Sequence, residues 1–170
     1  MRSKPSEERL PFFVYGTLLP GQPNAAVWEE AIVVQETAVL PGGHLYDMGS
    51  FPMLVVVEEE TAVVVGKLIQ VAATAYETVL ARLDALEGYD PQTPAAAGYR
   101  RVARQVLVKN DDAERGQNGR FAWVYVGQET AVRDLMPLPE GDWVAYSAKT
   151  AQAMAQWWRE INGRYHQGET

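Results

Sequence analysis

The chain of 170 residues contains no cysteine. That excludes disulfides, thiolate catalysis and cysteine-based zinc sites. It has two histidines, His44 and His166, far apart in sequence, which argues against a histidine-rich metal site. Basic residues are also few: 15 Lys and Arg against 22 Asp and Glu give a net charge of −7, with no basic cluster to interrupt it. Nucleic acid would be repelled on average. No apolar run approaches the length needed to span a bilayer, and residues 1–8 lack the apolar core of a signal peptide. A soluble cytoplasmic protein is expected. Gly16 to Gly21 lacks the Gly-Lys-Ser/Thr of a phosphate-binding loop, and Gly49-Ser50-Phe51-Pro52 lacks the glycine spacing of a nucleophile elbow. With 47% apolar residues, the chain is long enough for one domain with a substantial core, expected over about residues 11–163 with short flexible tails.

What is present begins at Phe12. The apolar run Phe12-Phe13-Val14-Tyr15 breaks into Gly16-Thr17-Leu18-Leu19-Pro20-Gly21, the pattern of a buried strand entering a loop. Glycine there permits unusual backbone angles and leaves amides without a covering Cβ. Such amides form a receptor for a carboxylate or phosphate. The same pattern also fits an ordinary strand-to-turn transition.

Residues 74–88 predict a helix. Thr74 with Glu77 fits a capping box, and Gly88 suits the position just beyond a helix C-terminus. Tyr76, Val79, Leu80, Leu83 and Leu86 recur at helical spacing and define the core-facing stripe. At about 100° per residue, Glu87 falls between Leu80 and Leu83, inside that stripe, with Glu77, Arg82 and Asp84 off it. A carboxylate there is partly desolvated and lies at the negative end of the helix dipole, and both effects raise its pKa. Otherwise the residue frays into solvent, or pairs with Arg100 or Arg101.

The remaining chain reads as strands around that helix, an α+β pattern. A short helix is expected over Asn24 to Ala31, with Asn24 as cap. Strands are expected at 32–34 and 37–40, ending in a bend or bulge at Pro41-Gly42-Gly43. Further strands are expected at 53–57 and 61–71, around a solvated turn Glu58-Glu59-Glu60. Alternating segments at 101–109 and 120–127 flank a polar, mobile loop at 110–119. A C-terminal helix from Ser147 to Asn162-Gly163 places Ala151, Met154, Ala155, Trp158 and Ile161 on one stripe, with Trp157 beside it. That stripe reads as a core contact; adjacent tryptophans also suit the interface of a homodimer.

Tyr15-Gly16-Thr17-Leu18, Gly43-His44-Leu45-Tyr46-Asp47 and Leu83-Asp84-Ala85-Leu86-Glu87-Gly88-Tyr89 together resemble the gamma-glutamylcyclotransferase-like proteins. Tyr99-Arg100-Arg101 and Gly141-Asp142-Trp143 extend the likeness, which runs over about residues 11–145 and is nearest the gamma-glutamylamine cyclotransferase and avirulence-induced branch. The resemblance implies a compact, barrel-like mixed sheet with flanking helices and a cavity. It implies a general acid/base at Glu87, and a glutamyl-binding loop at Tyr15, Gly16, Thr17 and Leu18. The Tyr99 hydroxyl is a candidate oxyanion donor. The implied reaction cyclises a gamma-glutamyl amine or amino acid to 5-oxoproline without metal or organic cofactor. A gamma-glutamyl amide hydrolase and a non-catalytic small-molecule binder are the alternatives. The spacer Asp90 to Gly98 departs from the family pattern and bears on the cavity rim.

Overall fold

The computed structural model describes residues 9–28, 30–58, 61–93, 98–109 and 118–165, with side chains to residue 163. Predicted features at Glu59 and Glu60, in 94–97 and 110–117, and in the two tails lie outside these residues. Among the described residues, five strands close a barrel: β1 (Phe12–Val14), β2 (Ile32–Pro41), β5 (Val63–Val71), β6 (Tyr99–Val108) and β7 (Asn118–Gly127). Around the barrel the order is β1-β5-β2-β6-β7. Neighbours are antiparallel except at the closure, where β1 meets β7 in parallel with Phe12 opposite Trp123. The closed sheet is therefore mixed, with α-helices α1 (Tyr76–Glu87) and α2 (Trp143–Tyr165), as the α+β reading expects. A hairpin of β3 (Gly43–Asp47) and β4 (Pro52–Val56) forms a separate two-stranded sheet.

β1 explains why its sequence is apolar without alternation. Phe13 joins the cluster of Leu40, Leu45, Leu54, Val64, Leu68, Val106 and Val124. Phe12 and Val14 join a second cluster with Trp28, Ile69, Val79 and Leu83 beneath α1. Successive strand residues face opposite sides, so a strand buried on both sides reads as one continuous apolar run. Each fully buried aliphatic or aromatic side chain contributes about 1.5–3 kcal/mol.

Several predicted details are corrected. The expected bend at Pro41-Gly42-Gly43 is present, with Gly42 at φ 77° between β2 and β3, but β2 runs as one strand from Ile32 to Pro41 and its register irregularity lies near its start, between Ile32 and Val34. The Asn24 segment is a single 3₁₀ turn, Ala25–Trp28. Its Asn24 amide donates to the Thr17 hydroxyl at 2.9 Å instead of acting as a cap acceptor. The capping box does not form: α1 begins after Ala75, without a side-chain cap, and Thr74 is exposed. The α1 stripe is also rotated from the predicted one. Leu86 is 47% exposed, while Asp84 is largely buried with its side chain only 13% exposed.

The C-terminal helix departs furthest from expectation. It begins at Trp143, not Ser147, and continues through Asn162-Gly163 to Tyr165. Trp143 is buried and Tyr146 donates a hydrogen bond to Asp47 of β3 at 2.8 Å, so only the base of the helix is anchored. From Ala148 to Glu160 every residue is exposed. Among the described residues, the predicted core stripe is left open at Ala151, Met154, Ala155 and Trp158, and only Ile161 is half-buried.

Candidate functional site

Two junctions and the hairpin wall one cavity. The loop after β1 contributes Tyr15 to Leu18, the last turn of α1 contributes Leu86 and Glu87, and the hairpin contributes Phe51 and Pro52. Tyr99, at the start of β6, and Tyr125, near the end of β7, enter from the same end of that antiparallel pair. The cavity is about 190 Å³ in volume. All six residues singled out from sequence line it: Tyr15, Gly16, Thr17, Leu18, Glu87 and Tyr99.

The position of Glu87 follows from how α1 stops. Gly88 adopts the left-handed conformation (φ 66°), with its amide donating to the Ala85 carbonyl and the Tyr89 amide donating to the Asp84 carbonyl. Such a cap terminates the helix sharply and suits glycine, which has no Cβ penalty there. Glu87 is thus the last helical residue, half-buried in the cavity wall. Burial pushes its carboxyl up to about 7, because the charged form loses hydration. Arg101, one of the cations considered for it from sequence, bonds elsewhere. Its guanidinium Nε donates to Asp84 Oδ1 at 2.9 Å, and it stacks 4.6 Å from the Trp123 ring centre and 5.6 Å from that of Tyr89.

Asp84 also accepts from the Tyr125 hydroxyl at 2.6 Å. The Arg101–Asp84–Tyr125 set therefore ties the last turn of α1 to β6 and β7, directly behind the cavity. Charge-assisted hydrogen bonds of this kind are short and roughly twice as strong as neutral ones. Helical periodicity marks Asp84 as polar and outward. Its partners lie 17 and 41 residues away in sequence, beyond the reach of a local pattern.

The tyrosines of the cavity stay protonated. Tyr15 is raised by burial, then by its neighbours Tyr99 and Glu87; Tyr99 is raised by burial and by the Glu87 charge. Tyr125 is raised by burial and by its bond to Asp84. Tyr15 donates to the Tyr125 carbonyl at 2.7 Å, and Tyr99 donates to the Pro52 carbonyl at a longer 3.3 Å. The Tyr99 hydroxyl, held less tightly, is the one better placed to be redirected to a ligand.

The first loop is shaped by close approach rather than by an unusual backbone angle. Gly16 is not among the positive-φ glycines. A Cβ on it would lie 2.5 Å from Pro52 Cγ and 2.9 Å from Cδ, nearer than such atoms approach. Glycine lets the loop lie against the hairpin. Leu18 and Leu19 turn into the core, and the Trp28 indole donates to the Leu18 carbonyl at 2.7 Å, fixing the turn. Among the described residues, the amides of Gly16, Thr17 and Leu18 donate to no protein acceptor. They remain available to an anionic or carbonyl oxygen. The Thr17 hydroxyl accepts from Asn24 and keeps its own proton to donate.

Among the described residues no group of three or more histidine and carboxylate side chains could hold a metal ion, and no helix is long and apolar enough to cross a membrane.

A sequence profile of the family described as "Gamma-glutamyl cyclotransferase, AIG2-like" matches residues 12–145. That span holds the first loop, Glu87, Tyr99 and Tyr125. Among solved structures, an AIG2-like protein from Mus musculus is similar at 24% identity and TM-score 0.58, over 78% of this chain and 88% of that one. YkqA from Bacillus subtilis is similar at 20% identity and TM-score 0.58, over 84% of this chain. This chain spans only 42% of that protein's length. A yeast gamma-glutamyl cyclotransferase specific to glutathione is similar at 16% identity and TM-score 0.54, over 86% of this chain and 87% of that one. These likenesses are of fold. No curated protein matches the chain.

Proposed function

The chain belongs to the gamma-glutamyl cyclotransferase, AIG2-like family, and from that premise we propose that it cyclises a gamma-glutamyl amine or gamma-glutamyl amino acid to 5-oxoproline, releasing the amine. The observation that carries this reading is Glu87. It is a carboxyl held near pKa 7 by burial, in the wall of a cavity that also offers three unbonded amides and a Tyr99 hydroxyl.

The substrate's alpha-carboxylate binds the amides of Gly16 to Leu18 and the Thr17 hydroxyl. Glu87, as carboxylate, takes a proton from the alpha-amine as that nitrogen attacks the gamma-carbonyl carbon. A carbon–nitrogen bond forms and closes a five-membered ring. The oxyanion that develops is met by the Tyr99 hydroxyl, which its raised pKa keeps protonated. Glu87 then returns the proton to the departing nitrogen as the second carbon–nitrogen bond breaks. One carboxyl group serves both transfers, and a pKa near the working pH suits it to each. Nucleophile and electrophile belong to one molecule, so holding the bent conformer supplies much of the rate. Phe13, Val14, Leu18 and Pro52 give the cavity an apolar lining that limits water.

Mass identification of the product from a panel of gamma-glutamyl amines and dipeptides tests the reading. It expects 5-oxoproline and free amine. Glutamate would make the protein a hydrolase in which Glu87 activates water. A ligand-dependent rise in melting temperature without product would make it a binder.

A further inference from the structure

The exposed part of α2 carries a pattern that neither the barrel nor the cavity uses. Val144, Ser147, Ala151, Met154, Trp158 and Ile161 follow one another at alternating steps of three and four. That 3.5-residue repeat is the seam of helices that wind around each other, with apolar residues at two of every seven positions. Ala148, Ala155 and Trp157 flank the seam. The charged Lys149, Arg159 and Glu160 lie on the opposite side, at positions a two-helix pair leaves in water. That outer face has partners of its own: Lys149 pairs with Glu140 at 3.4 Å, and Gln156 bonds Glu160 at 3.2 Å. The seam has none. Met154 is 55% exposed, Trp157 52% and Trp158 53%, the two indoles packed edge to face on each other at 5.1 Å.

We propose that α2 is a self-association helix through which two copies of this chain pair, seam against seam. A stretch of thirteen residues, Ala148 to Glu160, with no tertiary packing is marginal as an isolated helix in water. A matching helix removes that defect, and a two-fold pairing uses the same patch on both copies. The area sets the strength. An aromatic side chain can bury roughly 150–250 Å², so two half-exposed tryptophans offer roughly 200 Å² per copy. With Met154, Ile161, Val144 and the alanines, the pair buries roughly 800–1,000 Å² in total, below the standard interface size and within the weak, reversible class. An amphipathic helix with tryptophans could instead lie on a bilayer. Two observations favour the second copy. The spacing follows the seam repeat, and a chain of net charge −7, with a single excess cation among Lys149, Arg159 and Glu160, is repelled by an anionic surface.

Sedimentation velocity of the full chain tests this over about 1–200 μM, with Trp158→Glu in the seam and Gln152→Glu on the outer face as control. Both positions are exposed, so at dilutions where the parent is single both variants should keep its melting temperature. The parent and Gln152→Glu are expected to pass from one copy to two with a midpoint on the order of 10–100 μM, and Trp158→Glu to remain single throughout. A parent that stays single at the highest concentration overturns the proposal. So does a Trp158→Glu variant that pairs as the parent does. Flotation of a monomeric parent with phosphatidylcholine–phosphatidylserine vesicles would assign the seam to a membrane surface instead.

Discussion

Glu87→Gln should make the protein more stable at alkaline pH. Gln keeps the shape of the side chain and removes the charge that the cavity desolvates. The Glu87 carboxyl moves from 4.5 in an ordinary setting to about 7 in the folded chain. Between those values the folded state holds more protons than the unfolded one, so stability falls as pH rises across that window. The full shift corresponds to about 3 kcal/mol at 1.36 kcal/mol per unit. Glu87 keeps some contact with solvent, which reduces the effect to about 1–3 kcal/mol. For a chain of this size, 1 kcal/mol moves the melting temperature by about 2–4 °C, so a gain of about 3–10 °C is expected above pH 7. Toward pH 4 the parent is neutral in both states and the gain should vanish. Paired thermal melts of parent and variant between about pH 4 and pH 9 measure it. A melting difference independent of pH, or a variant less stable at alkaline pH, would refute the claim that the cavity desolvates this carboxyl.

The acid limb of kcat/KM should fall near pH 7, well above an ordinary glutamate, for a substrate that does not titrate there; a limb at or below about 4.3 would remove Glu87 as the base. Gly16→Val should destabilise the chain by about 1–3 kcal/mol through its clash with Pro52, and weaken 5-oxoproline binding in calorimetry at least about tenfold. Thr17→Ala should weaken that binding only modestly; parental affinity in folded Gly16→Val would place the anion receptor elsewhere. Tyr125→Phe should cost about 1 kcal/mol in a denaturant melt, by removing a donor to Asp84 while the Arg101 bond remains, and no loss would mean that the hydroxyl does not brace α1.

The parts of the site that are local in sequence were legible in it. The doubly buried strand β1, the glycine that lets its loop reach Pro52 and the glycine that stops α1 after Glu87 each leave a mark within a few residues. The brace behind the site leaves none. Asp84 looks solvent-facing until Arg101 and Tyr125 arrive from β6 and β7, and its burial rotates the helix away from Leu86. The capping box at Thr74 fails for a related reason. Val79 bonds the Ala75 carbonyl, so the helix begins where β5's continuation delivers the chain. Periodicity along α2 correctly identifies an apolar face, but a repeat cannot say whether that face meets its own barrel. Here it does not.

Whether Glu87 carries the protons is read from 5-oxoproline formation by parent and Glu87→Gln under identical conditions. Both proteins should first be shown to be folded by circular dichroism, and the substrate should be one the parent turns over. The variant should lose about 10²–10⁴-fold in turnover, the range general acid–base catalysis supplies. Undiminished turnover in folded Glu87→Gln would contradict that role.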